Sequence, residues 1–264
     1  MEIWTASNQK GGVGKTTTVV SLAGLLAQSG QRVLMVDMDP HGSLSCYFGL
    51  SPDDELPSVY NLFERFSLKR PLAPKNLVHQ TEFANLHLLP STTALVTLEK
   101  KMGLQDGMGR VLQIAMHEIR DDYDYVLVDT PPLLGVLLIN ALAASDKLLI
   151  PVQTEFLAMK GLERMMNTLR MLTQSLGQSV DYTVIPTMYD RRTHASTESL
   201  RLLRQQYHGS IWPAMIPIDT KFRDASKAGV PPPQFIVNAR GVRAYRSLLK
   251  YLVSHAAETS QQAV

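Results

Sequence analysis

Between a strand-like opening, Glu2–Ser7, and a largely apolar helical stretch, Thr16–Gln28, the chain reads Lys-Gly-Gly-Val-Gly-Lys-Thr-Thr from Lys10 to Thr17. Glycines at positions 11, 12 and 14 let backbone N–H groups turn inward and close on an anion. The helix that follows adds the positive end of its dipole. Lys15 supplies a full charge, and the Thr16 hydroxyl is spaced to reach Mg²⁺. Together these are the parts of a cradle for the phosphates of ATP, contacted by Gly11, Gly12, Val13, Gly14, Lys15, Thr16 and Thr17. The strict pattern G-x-x-x-x-G-K-[ST] is not met, because Gln9 occupies its first glycine position and Lys10 adds a second lysine. A dinucleotide fingerprint fits worse, since it needs glycine at Thr17.

The rest of the chain alternates strand-like and helix-like patterns. Strands are expected at Arg32–Asp37, Asn85–Leu89, Tyr125–Asp129, Lys147–Val152 and Tyr182–Pro186. Helices are expected at Met108–Arg120, Val136–Ala144, Met159–Leu176, Thr197–Tyr207 and Arg243–His255. Apolar strands separated by helices predict an α/β fold, a doubly wound, mostly parallel sheet with helices on both faces. Ligands of such sheets sit beyond the carboxyl ends of the strands. The phosphate loop, Asp37, Asp129 and Thr187–Arg192 all fall there. Ser51–Lys75 reads as an irregular, Pro-rich surface excursion and Pro231–Pro233 as a second, stiff one. Neither marks a boundary, so residues 1–264 are expected to form a single P-loop ATPase domain.

Composition excludes several other classes. With 45% hydrophobic and 19% charged residues, the chain has the balance of a soluble globular protein. Its single cysteine, Cys46, excludes an internal disulfide framework and fits a reducing, cytoplasmic compartment. No apolar run approaches a membrane span, and the opening residues have no leader pattern. The seven histidines show no metal-ligand spacing. Charge is uneven: Pro186–Lys250 holds 11 Lys/Arg against 4 Asp/Glu. That bias marks either a surface for a polyanion or a set of solvated helix faces.

Lys10–Thr17 resembles the deviant Walker motif of the ParA/MinD family. Val36-Asp-Met-Asp-Pro-His-Gly resembles the family's switch I segment, and Val128-Asp-Thr-Pro-Pro its Walker B and switch II. Leu149-Ile-Pro-Val-Gln-Thr-Glu and Thr187-Met-Tyr-Asp-Arg-Arg-Thr resemble the ParA, Soj-like branch, and Met215-Ile-Pro-Ile-Asp the adenine-holding segment. The motifs occur in the family's order. The resemblance implies an ATP sandwich homodimer in which Lys10 reaches the partner's phosphates, with Gly12 at an interface that has no room for a Cβ. It implies that Lys10, Lys15 and Asp39 serve hydrolysis, with Asp39 orienting or activating the attacking water. Thr16, Asp37 and Asp129 would serve Mg²⁺. Met188, Pro217, Ile218 and Asp219 would hold the base, although Arg-Asn is commoner after that proline. His41 replaces the family's usual glutamine and is structural or catalytic. The chain starts at the ATPase core, without the N-terminal DNA-binding extension of larger plasmid ParA proteins.

In ParA proteins the ATP dimer binds DNA without sequence preference. Arg192 and, on a gapless match, Lys221 fall on such positions, and Arg240, Arg243, Arg246 and Lys250 would extend the stripe. Val230 stands where the family often has lysine, and Ile236-Val-Asn-Ala-Arg-Gly replaces Asp-Pro-x-Ser-Arg-Gly. MinD-type relatives bind membrane through a basic amphipathic tail, whereas Glu258–Val264 is polar. The resemblance thus implies a positioning ATPase of weak intrinsic turnover. A ParB-like or chemotaxis-linked adaptor would stimulate it, on the nucleoid or at a cell pole. The cargo would be a chromosome, a plasmid or a polar chemotaxis array; the opening segment and Asp-Pro-His-Gly look most like homologues that position such arrays. The alternatives are a MinD-like membrane-associated ATPase and a metabolic P-loop enzyme coupling ATP to ligation or metal delivery.

Overall fold

A computed structural model describes residues 1–101, 107–133, 135–176 and 181–262. In chain order come β1 (Glu2–Ala6), α1 (Lys15–Gln28), β2 (Val33–Asp37), α2 (Ser43–Tyr47), α3 (Val59–Ser67), β3 (His79–Gln80) and β4 (Leu86–Leu89). Then follow α4 (Leu95–Lys101), α5 (Val111–Glu118), β5 (Tyr125–Asp129), α6 (Val136–Ala144), β6 (Lys147–Gln153), α7 (Phe156–Leu176) and β7 (Asp181–Thr187). The chain continues through α8 (His194–Gln206), α9 (Lys221–Ala228), α10 (Pro232–Phe235) and α11 (Arg240–Gln262).

The strands are apolar on both faces, so each face must be covered. Leu34, Val36, Val126 and Val128 point into one core, against Phe63 of α3, Leu112 and Met116 of α5 and Leu137 of α6. Val33, Met35 and Leu127 point the other way, against Leu22 and Leu26 of α1 and Leu248 and Leu252 of α11. On β6, Leu148, Ile150 and Val152 pack with Leu162 and Met165 of α7. The seven strands among the described residues lie in the order β3-β4-β2-β5-β1-β6-β7. All pairings are parallel except β3 with β4. This is the doubly wound, mostly parallel sheet expected from the alternation. The chain leaves β1 toward β2 on one side and later places β6 on the other, so the loop after β1 opens where the strand order reverses.

Three expectations need correction. Ser51–Lys75 is not wholly irregular: α3 lies inside it and buries Val59, Leu62 and Phe63 in the core. Its start is fixed by Asn61 Oδ1 accepting from Ser58 N at 2.9 Å. Pro231–Pro233 is buried and docks on α1, so a Cβ at Gly24 would meet Pro231 Cβ at 2.8 Å. The helix expected from Met108 opens as a tighter turn over Met108–Arg110. There Asn140 donates to Met108 O at 2.7 Å and accepts from Leu112 N at 3.1 Å. Of the polar tail, residues 263–264 and the side chains from 256 onward lie outside the described residues. No helix among the described residues is long and apolar enough to cross a membrane.

Candidate nucleotide site

The loop after β1 is braced from outside. Asn8 Nδ2 donates to Pro151 O at 2.8 Å, and Asn8 Oδ1 accepts from Lys10 N at 2.9 Å. Thr187 Oγ1 donates to Val13 O at 2.9 Å. Gly12 and Gly14 adopt left-handed backbone, at φ 73° and 95°, which glycine reaches without strain. With the Val13 carbonyl tied back, the loop leaves N–H groups to face a ligand. The first turn of α1 carries no acidic residue and no side-chain cap, so its donors are open to an anion. Lys15 is almost fully buried at that turn.

Three carboxylates close the same end of the sheet. Asp37 and Asp129 are fully buried and are register partners across β2 and β5. Asp37 is held by its neighbours: Oδ2 accepts from Ser45 N and Ser45 Oγ, both at 2.8 Å, and Oδ1 from Asp39 N at 3.1 Å. Asp129 Oδ2 accepts from Thr16 Oγ1 at 2.5 Å, while its Oδ1 is buried with no hydrogen-bond partner. Burial pushes the Asp37 carboxyl up to about 7, against the pull of the Ser45 bonds. Burial and the Asp37 charge push Asp129 up to about 8, partly offset by Thr16 and Lys15. Asp39 Oδ1 accepts from His41 N at 3.0 Å and lies 2.9 Å from His41 Nδ1, while the imidazole itself is exposed. Ser91 Oγ donates to Asp39 O at 2.5 Å. Ser45 and Ser91, which hold these aspartates, had no signal of their own in the sequence.

A cavity of about 620 Å³ opens beside the loop, lined by Val13, Gly14, Thr17, Met188, Pro217, Ile218 and Asp219 among others. The two sequence motifs proposed for phosphate and base thus meet at one cavity. Met188 adopts φ 52°, a strained value for a side chain of its size. It is fixed between Thr187 and Tyr189, whose N–H donates to Ile216 O at 3.0 Å. Asp219 lines the cavity, but its oxygens accept from Lys221 N and Gly241 N, each at 3.0 Å. Its carboxylate therefore clamps the starts of α9 and α11. Phe222, Arg223, Lys227 and Tyr245 complete the wall. Spacing in the sequence did not mark them, because they come from two helices folded in from the far end of the chain.

Other expected site residues lie apart from this cavity. Lys10 Nζ pairs with Glu155 and donates to Gln153 Oε1 at 3.2 Å, so it is held by its own chain. A Cβ on Gly12 would meet nothing within 4 Å, so within one chain the constraint there is φ and not space. Arg192 forks onto Asp190, with Nε–Oδ1 2.9 Å and Nη2–Oδ2 2.7 Å. Lys221 pairs with Asp224 at 3.0 Å. Arg191, Arg192 and Arg240 line one shallow cleft with Asp190 and Asp219, and Arg243 is exposed one turn further along α11.

A hard-oxygen pair at the foot of an open helix N-terminus, inside a doubly wound parallel sheet, defines a P-loop nucleoside triphosphatase. The AAA domain family model matches residues 1–182. The chain is 33% identical over 248 residues to the chromosome partitioning protein ParA of Myxococcus xanthus, covering 94% of this chain and 86% of that one. It is 33% identical over 250 residues to the sporulation initiation inhibitor protein Soj of Bacillus subtilis, covering 94% and 97%. A crystal structure from Mycobacterium smegmatis, described as cobyrinic acid a,c-diamide synthase with bound ADP and magnesium, superposes with a TM-score of 0.80. It is 31% identical, over 97% of this chain and 96% of that one. The chain belongs to the ParA/Soj family of P-loop ATPases.

Proposed function

We propose that this protein is a ParA-like positioning ATPase, acting through residues 1–264 as one P-loop domain. The observation that carries this reading is Asp129 Oδ1, buried without a partner while Oδ2 binds Thr16 at 2.5 Å. An orphaned carboxylate oxygen beside a hydroxyl suits a hard cation. Among the described residues no three His, Cys, Asp or Glu side chains gather into a metal cage. That agrees with Mg²⁺, which keeps water and phosphate oxygens in its shell. When bound, Mg²⁺ neutralises charge on the β- and γ-phosphate oxygens.

Lys15 and the Gly11–Thr17 backbone hold the triphosphate, while Thr16 and Asp129 face the cation. Asp37, bonded through Ser45, keeps the switch segment beside it. Met188, Pro217 and Ile218 receive the adenine, in the part of the cavity that Asp219 clamps. Asp39 orients or activates the attacking water. Lys10 leaves Glu155 to reach the partner's phosphates in an ATP-bound homodimer. The dimer presents Arg192, Lys221, Arg240 and Arg243 to DNA without sequence preference. Exposed ion pairs such as Arg192–Asp190 are worth only ~0–1 kcal/mol, so a phosphate can displace the carboxylate. A ParB-like or chemotaxis-linked adaptor stimulates hydrolysis in the cytoplasm, on the nucleoid or at a pole, and releases the monomers.

Replacing Lys15 with alanine removes the main countercharge of a buried triphosphate. Binding of a fluorescent ATP analogue should be lost, and near wild-type affinity would overturn the assignment. The name of the M. smegmatis structure supports a second reading, amide ligation, which needs a carboxylate acceptor next to the γ-phosphate. Steady ATP turnover with no acid or amine present separates the two, since a ligase stalls there.

A further inference from the structure

Tyr245 is buried in α11, far along the chain from the phosphate loop, yet it lines the nucleotide cavity. Its hydroxyl lies 2.9 Å from Thr18 Oγ1. Distance alone leaves the donor open, but the neighbouring bond decides it. Thr18 Oγ1 has one proton, which it donates to Gly14 O at 2.7 Å. Tyr245 must therefore be the donor to Thr18. Burial pushes the pKa of the phenol well above its ordinary value, which keeps that proton in place. The result is a directed chain from Tyr245 O–H to Thr18 O–H to the Gly14 carbonyl. The same carbonyl also accepts from Thr18 N at 2.9 Å.

The Gly14 carbonyl and the Lys15 N–H belong to one amide. Hydrogen bonds to the oxygen of an amide polarise its N–H, and successive bonds in a chain strengthen one another. Here that N–H opens the first turn of α1, where the phosphates are proposed to bind. The chain also holds Gly14 at its left-handed φ of 95°, the conformation that turns the peptide. Tyr245 is itself fixed from two sides. Its ring meets Phe222 edge to face, with centroids 5.7 Å apart, and Asp219 Oδ2 pins the start of α11 through Gly241 N.

We propose that Tyr245 is a positioning residue for the triphosphate, acting through Thr18 on the Gly14–Lys15 peptide, so that α11 sets how well the phosphate loop holds its ligand. This rests on the reading of the loop as a triphosphate site. A role confined to packing α11 on α1 makes different forecasts. Tyr245→Phe keeps the ring and its contact with Phe222, and Thr18→Ser keeps the hydroxyl. Thr18→Val keeps the shape and loses the hydroxyl.

The test is the Kd of a non-hydrolysable Mg·ATP analogue for the full chain, with melting curves recorded without nucleotide. The bonds of this chain exist with and without ligand, so their full value shows in the melting curves. Only the cooperative share, ~10–30% of a charge-assisted bond, reaches Kd, so Tyr245→Phe and Thr18→Val should each bind about two- to fourfold more weakly. Thr18→Ser should bind within about twofold of wild type, and the double variant should bind no worse than Thr18→Val alone, because both changes cut one chain. Equal affinity of wild type and Tyr245→Phe overturns the proposal, as does a double variant whose losses multiply. If wild type fails to bind the analogue, the triphosphate reading falls and the relay falls with it. Wild-type binding with an unaffected Tyr245→Phe removes the relay alone.

Discussion

Asp37 and Asp129 stand opposite each other in the β2–β5 pairing, two buried carboxyls at the ends of neighbouring parallel strands. Both hold their protons to higher pH than free carboxylates, to about 7 and about 8. Between the ordinary carboxylate range and those values the folded state binds more protons than the unfolded one. Stability therefore falls as pH rises through that window. Melting temperature without nucleotide or magnesium should drop between about pH 4 and about pH 8 and level off above that. Mg·ATP should stabilise more at the higher pH, where its carboxylate partner is already ionised. Asp129→Asn should flatten the pH dependence and remove the magnesium effect.

Asp39→Ala should bind ATP and accumulate as a stable dimer, because hydrolysis is what ends the dimer. Gly12→Val should remain monomeric in ATP: φ is 73°, which a β-branched residue resists. Size exclusion with light scattering reads both. The dimer model fails if both variants match wild type.

Gly241→Ala tests the cavity wall. The added Cβ would come 2.3 Å from Phe222 Cζ and 3.3 Å from Asp219 Cβ. Overpacking of this kind costs about 1–3 kcal/mol. Chemical denaturation should show a loss of that order, and ATP should bind more weakly because Phe222 has to move.

Arg192→Glu combined with Lys221→Glu should abolish DNA retention while ATP-driven dimerisation survives. Asp190→Asn should act in the opposite direction, since it frees the Arg192 fork now held at 2.7 and 2.9 Å. Four phosphate contacts per dimer predict a salt slope near about −4 on logarithmic axes. Filter binding at two salt concentrations measures it. Wild-type dimer that ignores DNA at low salt would point to a polar protein partner.

The phosphate end of the site was legible in the sequence, because Lys10–Thr17 is contiguous and its chemistry is local. The acidic strand ends were legible too, since β2 and β5 read plainly as buried apolar runs. Ser45, Ser91, Phe222 and Tyr245 were not, because each reaches the site only through the tertiary fold. The helix over Val59–Ser67 did leave a signal. Val59, Leu62, Phe63 and Phe66 have helical spacing, but the prolines around them and Asn61 in place of the usual Glu or Gln of a capping box obscured it. The pairing of Arg192 with Asp190 shows the opposite limit, since a count of basic residues does not reveal which are already neutralised.

The Lys10–Glu155 pair has a consequence for protein concentration. In the proposed ATP dimer, the Glu155 carboxylate of each chain competes with the partner's triphosphate for the Lys10 ammonium group. Both partners are partly exposed, so the pair is worth at most ~1 kcal/mol, about a fivefold bias. A symmetric dimer must break two such pairs, which raises the concentration at which half the chains associate by up to about thirtyfold. On the proposed role of Lys10, Glu155 sets a threshold that keeps dilute, ATP-loaded chains apart and lets crowded ones join.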